Sequence, residues 1–225
     1  MRINDLVNEQ IIAEVHQEEN LVAQYHNAEE YEGNISMSGR HLTSLRGAPK
    51  IVNGNFDVNE NPLLKTLRFA PIHITGRFNA NDCDIQSLRG CTTKTIGELF
   101  TISKNSFRSV DDLMGAPEDI GSLHMCFGMN FTSLSGIHKA FKCVNDTIFI
   151  PEKSTHVLAL AFIKNLKHVV IGSLPSDQKL NTDLGKVIKI LNDHLKTGSI
   201  DMLDVKTEII ETYSGQPEIL ALAKV

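Results

Sequence analysis

The residues most able to do chemistry in this chain are nine histidines and four cysteines. Their spacing assembles none of them into a recognisable device. No HExxH or HxH occurs. No pair of histidines lies at helical spacing with a cysteine or carboxylate, as a zinc site would need. Cys83, Cys91, Cys126 and Cys143 form no CxxC pair, and none sits in a nucleophile signature. GxxxxGK[ST], GxGxxG and GxSxG are all absent, so neither a phosphate loop nor a nucleophile elbow is encoded. His124, beside Met125 and Cys126, is the most tempting candidate, but it fits a packed or surface histidine of an imperfect repeat. Asp111-Asp112 and Glu118-Asp119 form an acidic cluster that suits either a cation or a solvated loop. Residues 155–225 carry too few clustered titratable groups for a hidden enzyme. The expectation is a non-enzymatic protein with no catalytic residue, no metal and no cofactor.

The elements that would position any site are set by an internal repeat. Five segments align: HLTSLRGAPK after Gly33, PLLKTLRFAP after Gly54, DIQSLRGCTT after Gly76, SFRSVDDLMGAP after Gly97 and FTSLSGIHKA after Gly121. Their anchors Leu42, Leu63, Ile85, Phe107 and Phe131 are spaced 21, 22, 22 and 24 apart, inside the window for leucine-rich repeats. Before each of the first four anchors stands an alternating apolar pair: Ile35 and Met37, Phe56 and Val58, Phe78 and Ala80, Phe100 and Ile102. Alternation points both members inward from one short strand. The place expected for Asn holds Asn61 and Asn105 but Arg40 and Cys83 elsewhere. Arg40 cannot accept a backbone hydrogen bond, so a looser first turn is expected. In the fifth repeat, strict spacing would bury His124 and Cys126; hydrophobicity favours Leu123 and Met125, which is the preferred register.

The predicted fold is an α+β solenoid: a leucine-rich-repeat-like right-handed coil of short parallel strands, one per turn, with helical caps at both ends. No single turn can bury its apolar face alone, so stacking of neighbours supplies the stability. Residues 1–30 are acidic, with Leu6, Ile11, Val15, Val22 and Tyr25 at helical intervals, and form the predicted N-terminal cap. The solenoid covers 31–151, as about five repeats of 21–24 residues and a final strand at Ile148 and Ile150. Residues 152–225 form a mixed strand and helix cap. Within it, Lys167 to Ile171 is a strand, and Leu184, Val187, Ile188, Leu191 and Leu195 mark an amphipathic helix. Gly198 stops that helix and Ser199 caps the next.

Composition narrows the function. Hydrophobic residues make up 41% of 225 residues, enough for a continuous core, while Trp is absent and aromatics are 6%. Thin layers filled by aliphatic side chains fit those proportions. The net charge is −5 and no run of four basic residues occurs, which disfavours nonspecific nucleic-acid binding. No secretory signal is read at the N-terminus, and the longest apolar stretch, Val157 to Ile163, is too short to span a bilayer. The cysteines then read as reduced thiols in a cytoplasmic protein.

If the coil binds something, its outward strand positions are the natural surface. Ser36, Asp57, Asn79 and Thr101 lie between inward residues. Asn55 and Arg77 precede the strands, and Asn59 and Asn81 follow them. These eight residues form the candidate binding ladder, with Asp57, Arg77 and Asn79 at its centre. A solvated sheet face, with Asn and Ser chosen for turns, is the alternative.

The units LTSLRGAPKIVNGNFDV and IQSLRG, followed by IKNLKHVVI and a helical tail, resemble the leucine-rich-repeat-like proteins often encoded by large tailed bacteriophages. That family's repeat reads approximately L-T-S-L-x-G-A-P-x-x-V-x-G-x-F-x-C. Residues 42–58 match it, with Val58 where Cys is common. Later repeats depart from it: Phe69 replaces the turn Gly, and Asp111-Asp112 are inserted. The resemblance spans 31–225 and implies no catalytic residues. It implies a phage-made module in the host cytoplasm that binds a host or phage protein, with countering a host defence as one role. An exposed last strand near Phe149, if poorly capped, would favour a homodimer. A second expectation is sequestration of a small anion such as a nucleotide, using Gly-rich turns and Arg40, Arg46, Arg68, Arg77 or Arg89.

Overall fold

The computed structural model describes residues 24–25, 27–126, 128–172, 182–198 and 200–223. The predicted helices of the N-terminal segment lie outside the described residues, apart from its last few positions. Apolar alternation and a 21–25 residue period produce a parallel-strand β-solenoid of about six turns, with a few helices. Each early turn contributes two short strands rather than the single one expected. The first turn holds β1 (Glu30–Glu32) and β2 (Ile35–Ser36), the second β3 (Ile51–Asn53) and β4 (Phe56–Asp57), the third β5 (His73–Ile74) and β6 (Phe78–Asn79). In the next two turns both strands join into one bent strand, β7 (Thr95–Thr101) and β8 (Asp119–His124). One parallel ladder runs β1-β3-β5-β7 and the other β2-β4-β6-β7.

Glycine explains the corner between the two ladders. A Cβ on Gly54 would lie 2.4 Å from the Gly33 carbonyl oxygen, on Gly97 2.1 Å from Thr75 O, and on Gly121 2.1 Å from Glu98 O. Backbones touch there from turn to turn, so any side chain would drive the stack apart.

Inside the coil the alternating pairs pack as predicted: Ile35, Met37, Phe56, Val58, Phe78, Ala80, Phe100 and Ile102 are all buried. Phe56, Phe78 and Phe100 stack along the axis with ring centroids 5.4 and 5.3 Å apart. Leu123 and Met125 continue this column in the fifth turn. Two anchors need correction. Leu63 is 45% exposed, and Leu64 fills the interior instead. The second turn carries one extra residue after Asn61, which shifts its Leu-x-x-Leu pair to Leu64 and Leu67. Phe131 is only partly buried, and Leu134 takes the core place.

The asparagine places act as expected, and they act backwards along the coil. Asn61 Oδ1 accepts the Leu42 N–H of the preceding turn at 2.8 Å, while its Nδ2 donates to Met37 O and Val58 O. Asn105 repeats this on Ile85 N–H, Ala80 O and Ile102 O. The first turn, which has Arg40, is therefore tied by Asn61. Cys83 Sγ lies within donating distance of Val58 O and Asn81 O, and the Asn61 backbone N–H donates to it.

Parallel pairing runs beyond Pro151. After β9 (Thr147–Ile150), a 3-10 segment at Val157–Phe162 leads to β10 (His168–Ile171), which pairs with β9 over four residues. The sequence period fades there because Lys153 to Phe162 replaces the usual turn. Among the described residues, helices then follow. A one-turn α1 (Ile137–Ala140) lies within the coil, and α2 (Asp183–Lys196), α3 (Met202–Tyr213) and α4 (Pro217–Leu222) come after it. The apolar face of α2, including Leu184, Val187, Ile188, Leu191 and Leu195, is buried. The residue capping α3 is Asp201, whose carboxylate accepts the Leu203 N–H at 2.7 Å, and not the predicted Ser199, which lies outside the described residues. Among the described residues no helix is long and apolar enough to cross a membrane.

Candidate recognition surface

Register fixes one outward column on the second ladder. Ser36 pairs with Asp57, Asp57 with Asn79, Asn79 with Thr101, Thr101 with His124, and His124 with Phe149. Strand pairing sets successive members about 4.8 Å apart. The column passes from polar side chains to an aromatic end, where the His124 and Phe149 rings are 5.2 Å apart. Burial at this end lowers the proton affinity of His124 below its ordinary value. The imidazole is therefore held toward its neutral form.

The eight predicted residues divide by what their side chains already do. Ser36 and Arg77 are exposed. Asp57 is half-buried, and its Oδ1 accepts the Asn59 N–H at 3.0 Å. Asn55 Oδ1 accepts the Arg77 N–H of the next turn at 2.8 Å, and Asn81 Oδ1 accepts the Ser103 N–H at 2.7 Å. Asn79 Oδ1 accepts the Thr101 hydroxyl at 2.8 Å, and Thr101 is buried. Asn55, Asn79, Asn81 and Thr101 thus hold one turn to the next and have less left for a partner. Asn59 Nδ2 reaches Glu60 at 3.4 Å, while its buried Oδ1 has no hydrogen-bond partner among the described residues.

Arg77 lies on the wall of a shallow groove of about 330 Å³ that also involves Glu98, Leu99, Ser122, Asp146 and Phe149. Arg77 Nε stands 3.4 Å from Glu98, both largely solvent-exposed, a pair worth little to stability. Glycines 97 and 121 floor the groove and leave backbone open to contact. His124, Phe149, Leu99 and Asp146 were not among the predicted site residues. Their signal was present in the preferred fifth register, which places His124 outward at the step after Thr101. Extending the column to Phe149 needs the β8–β9 pairing, since 25 residues separate the two strands at this point.

A wider hollow of about 640 Å³ lies beside the C-terminal end of α2, lined by residues that include Asn145, Asn165, Lys167, Leu195 and Ile200. Among the described residues no group of three or more His, Cys, Asp or Glu could hold a metal ion. That includes Asp111, Asp112, Glu118 and Asp119. Asp112 accepts the backbone N–H groups of Arg108 and Ser109, and Glu118 pairs with Lys94 at 2.6 Å. Comparison with protein-family models, curated proteins and solved structures gives no match for this chain.

Proposed function

We propose that this chain is a non-enzymatic protein-recognition module whose contact surface is the outward column from Ser36 to Phe149, with Arg77 at its side. One observation carries the reading: six side chains from consecutive turns stand in a single rigid row that ends in a paired His124 and Phe149. Rigid spacing lowers the ordering cost of binding. Aromatic and Arg side chains are the residue types that dominate contact energies. The column offers both, next to a groove with an exposed backbone floor.

The coil is, on this reading, a right-handed leucine-rich-repeat-like solenoid closed by helices at both ends. Its resemblance to repeat proteins of large tailed phages makes a host or phage protein the partner, met in the host cytoplasm. Countering a host defence is one role that fits. That origin rests on sequence resemblance and not on the site itself.

The test is capture of partners from infected-cell lysate with the purified chain, identified by mass spectrometry, followed by affinity measurement. The double variant Asp57→Ala/Arg77→Ala and the single variant Phe149→Ala should each bind the captured partner about 10-fold more weakly. Melting temperature should stay within about 3 °C. Unchanged affinity in both variants would remove this surface from consideration.

A further inference from the structure

Several charged side chains on neighbouring turns of this coil pair with opposite sign. Glu29 meets Lys50 at 2.6 Å, Arg77 meets Glu98 at 3.4 Å, Asp82 meets Lys104 at 3.0 Å, and Lys94 meets Glu118 at 2.6 Å. One column sets three like charges side by side instead. Arg46, Arg68 and Arg89 occupy the same place on three consecutive turns, each just after the Leu-x-x-Leu pair. Their equivalence is visible in the backbone. The N–H groups of Arg46, Arg68 and Arg89 donate to Ser44 Oγ, Thr66 Oγ1 and Ser87 Oγ in turn. All three are exposed.

The side chains lie along the axis toward the next turn. The Arg46 guanidinium sits 4.8 Å over the Phe69 ring, and a Cβ on Gly90 would come within 3.1 Å of Arg68 Nε. Among the described residues neither Arg68 nor Arg89 makes an ion pair with a carboxylate. Like charges set side by side on neighbouring turns repel, so stability alone would not select three arginines in a row. Phe69 adds a second cost. It takes a left-handed φ of 67° at the place where Gly47 and Gly90 stand in the flanking turns, and it is 45% exposed.

We propose that Arg68 and Arg89, with Arg46 and Phe69 beside them, bind a chain of linked phosphates. Turns stack about 4.8 Å apart, and guanidinium groups at that spacing can each engage a different phosphate with paired N–H donors. The site shares no residue with the recognition column, so either can fail without the other. A free polyphosphate and a nucleoside triphosphate present the same chemistry; only the latter has a base to lay against Phe69.

The test is titration of the full chain with sodium tripolyphosphate, with ATP and with a single-stranded oligonucleotide, at low salt. Tripolyphosphate and ATP should bind, and Arg68→Ser/Arg89→Ser should weaken both about 10-fold or more. The charge-matched control Lys50→Ser/Lys94→Ser should leave affinity unchanged. If ATP binds more tightly than tripolyphosphate and Phe69→Ala removes the difference, the nucleotide is the source; equal affinities point to the free phosphate chain. Absence of binding by both phosphate ligands, equal loss in the lysine control, or binding of the oligonucleotide alone would overturn the proposal.

Discussion

Asn192 of α2 takes both backbone groups of Val169 in β10. Its Oδ1 accepts the Val169 N–H at 2.7 Å and its Nδ2 donates to Val169 O at 2.9 Å. A carboxamide presents the same acceptor and donor as a peptide unit, so Asn192 stands where a further strand would pair. The contact is buried. A solenoid has an open edge at its last strand, and an unpaired edge invites association. Asn192→Leu should cost about 2–4 kcal/mol, because two buried backbone groups lose their partners. Urea denaturation measures the loss. Size-exclusion chromatography should show concentration-dependent self-association of the variant, and a strictly monomeric variant of wild-type stability would show that the edge does not need this residue.

The asparagine and cysteine at equivalent corners should differ in worth. Asn105→Ala strips the Ile85 N–H and the Ala80 and Ile102 carbonyls of their partner, an expected cost of about 3 kcal/mol. Cys83→Ala removes only weaker sulfur contacts, to Val58 O, Asn81 O and the Asn61 N–H, and should cost about 1 kcal/mol. Equal losses in guanidinium denaturation would mean that the corner is held by packing and not by the amide.

Glycine at the ladder corner should be irreplaceable, and a glycine in open space should not. Gly121→Ala places a methyl within 2.1 Å of Glu98 O and 2.4 Å of Gly97 O. Backbone cannot yield as a side chain would, so a loss of about 3 kcal/mol is expected. Gly215→Ala, where nothing lies within 4 Å, should stay within about 0.5 kcal/mol of the parent. Paired thermal melts of the two variants provide the comparison.

Burial lifts the Cys83 thiol from its ordinary value of 9.0 to about 11, the Asn61 backbone N–H opposing and Asp82 and Asp57 adding to the rise. The folded chain therefore holds this proton more tightly than the unfolded one. Its contribution to stability is full below pH 9.0 and is lost as pH rises through about 11. Iodoacetamide at pH 8 should leave Cys83 unmodified in the native chain and label it in urea. Mass spectrometry of the digested protein reads this directly, and equal labelling rates in both states would contradict the burial.

The repeat and its inward residues were legible because stacking demands the same apolar place in every turn. Ile35, Phe56, Phe78 and Phe100 needed only their period and alternation to be assigned inward. The preferred fifth register, with Leu123 and Met125 inside, followed from the cost of burying His124. Two features were not legible. Glycine spacing marked the start of each turn, but only the 2.1–2.4 Å approach of neighbouring backbones at Gly54, Gly97 and Gly121 shows that it is a corner between two strands. The inward shift from Leu63 to Leu64 turns on one extra residue, which a period tolerant of insertions cannot locate.

The site was half legible for a similar reason. Sequence alone named Ser36, Asp57 and Asn79 as outward, since strand alternation is local. It could not say that Asn55, Asn79, Asn81 and Thr101 are engaged with the next turn, nor that Phe149 extends the column. It named Arg46, Arg68 and Arg89 without placing them in one row beside Phe69. Local periodicity determines which face of a strand a residue takes. Contacts between residues 21–25 positions apart are made by stacking, and only the assembled coil decides which side chains are consumed by it and which remain free.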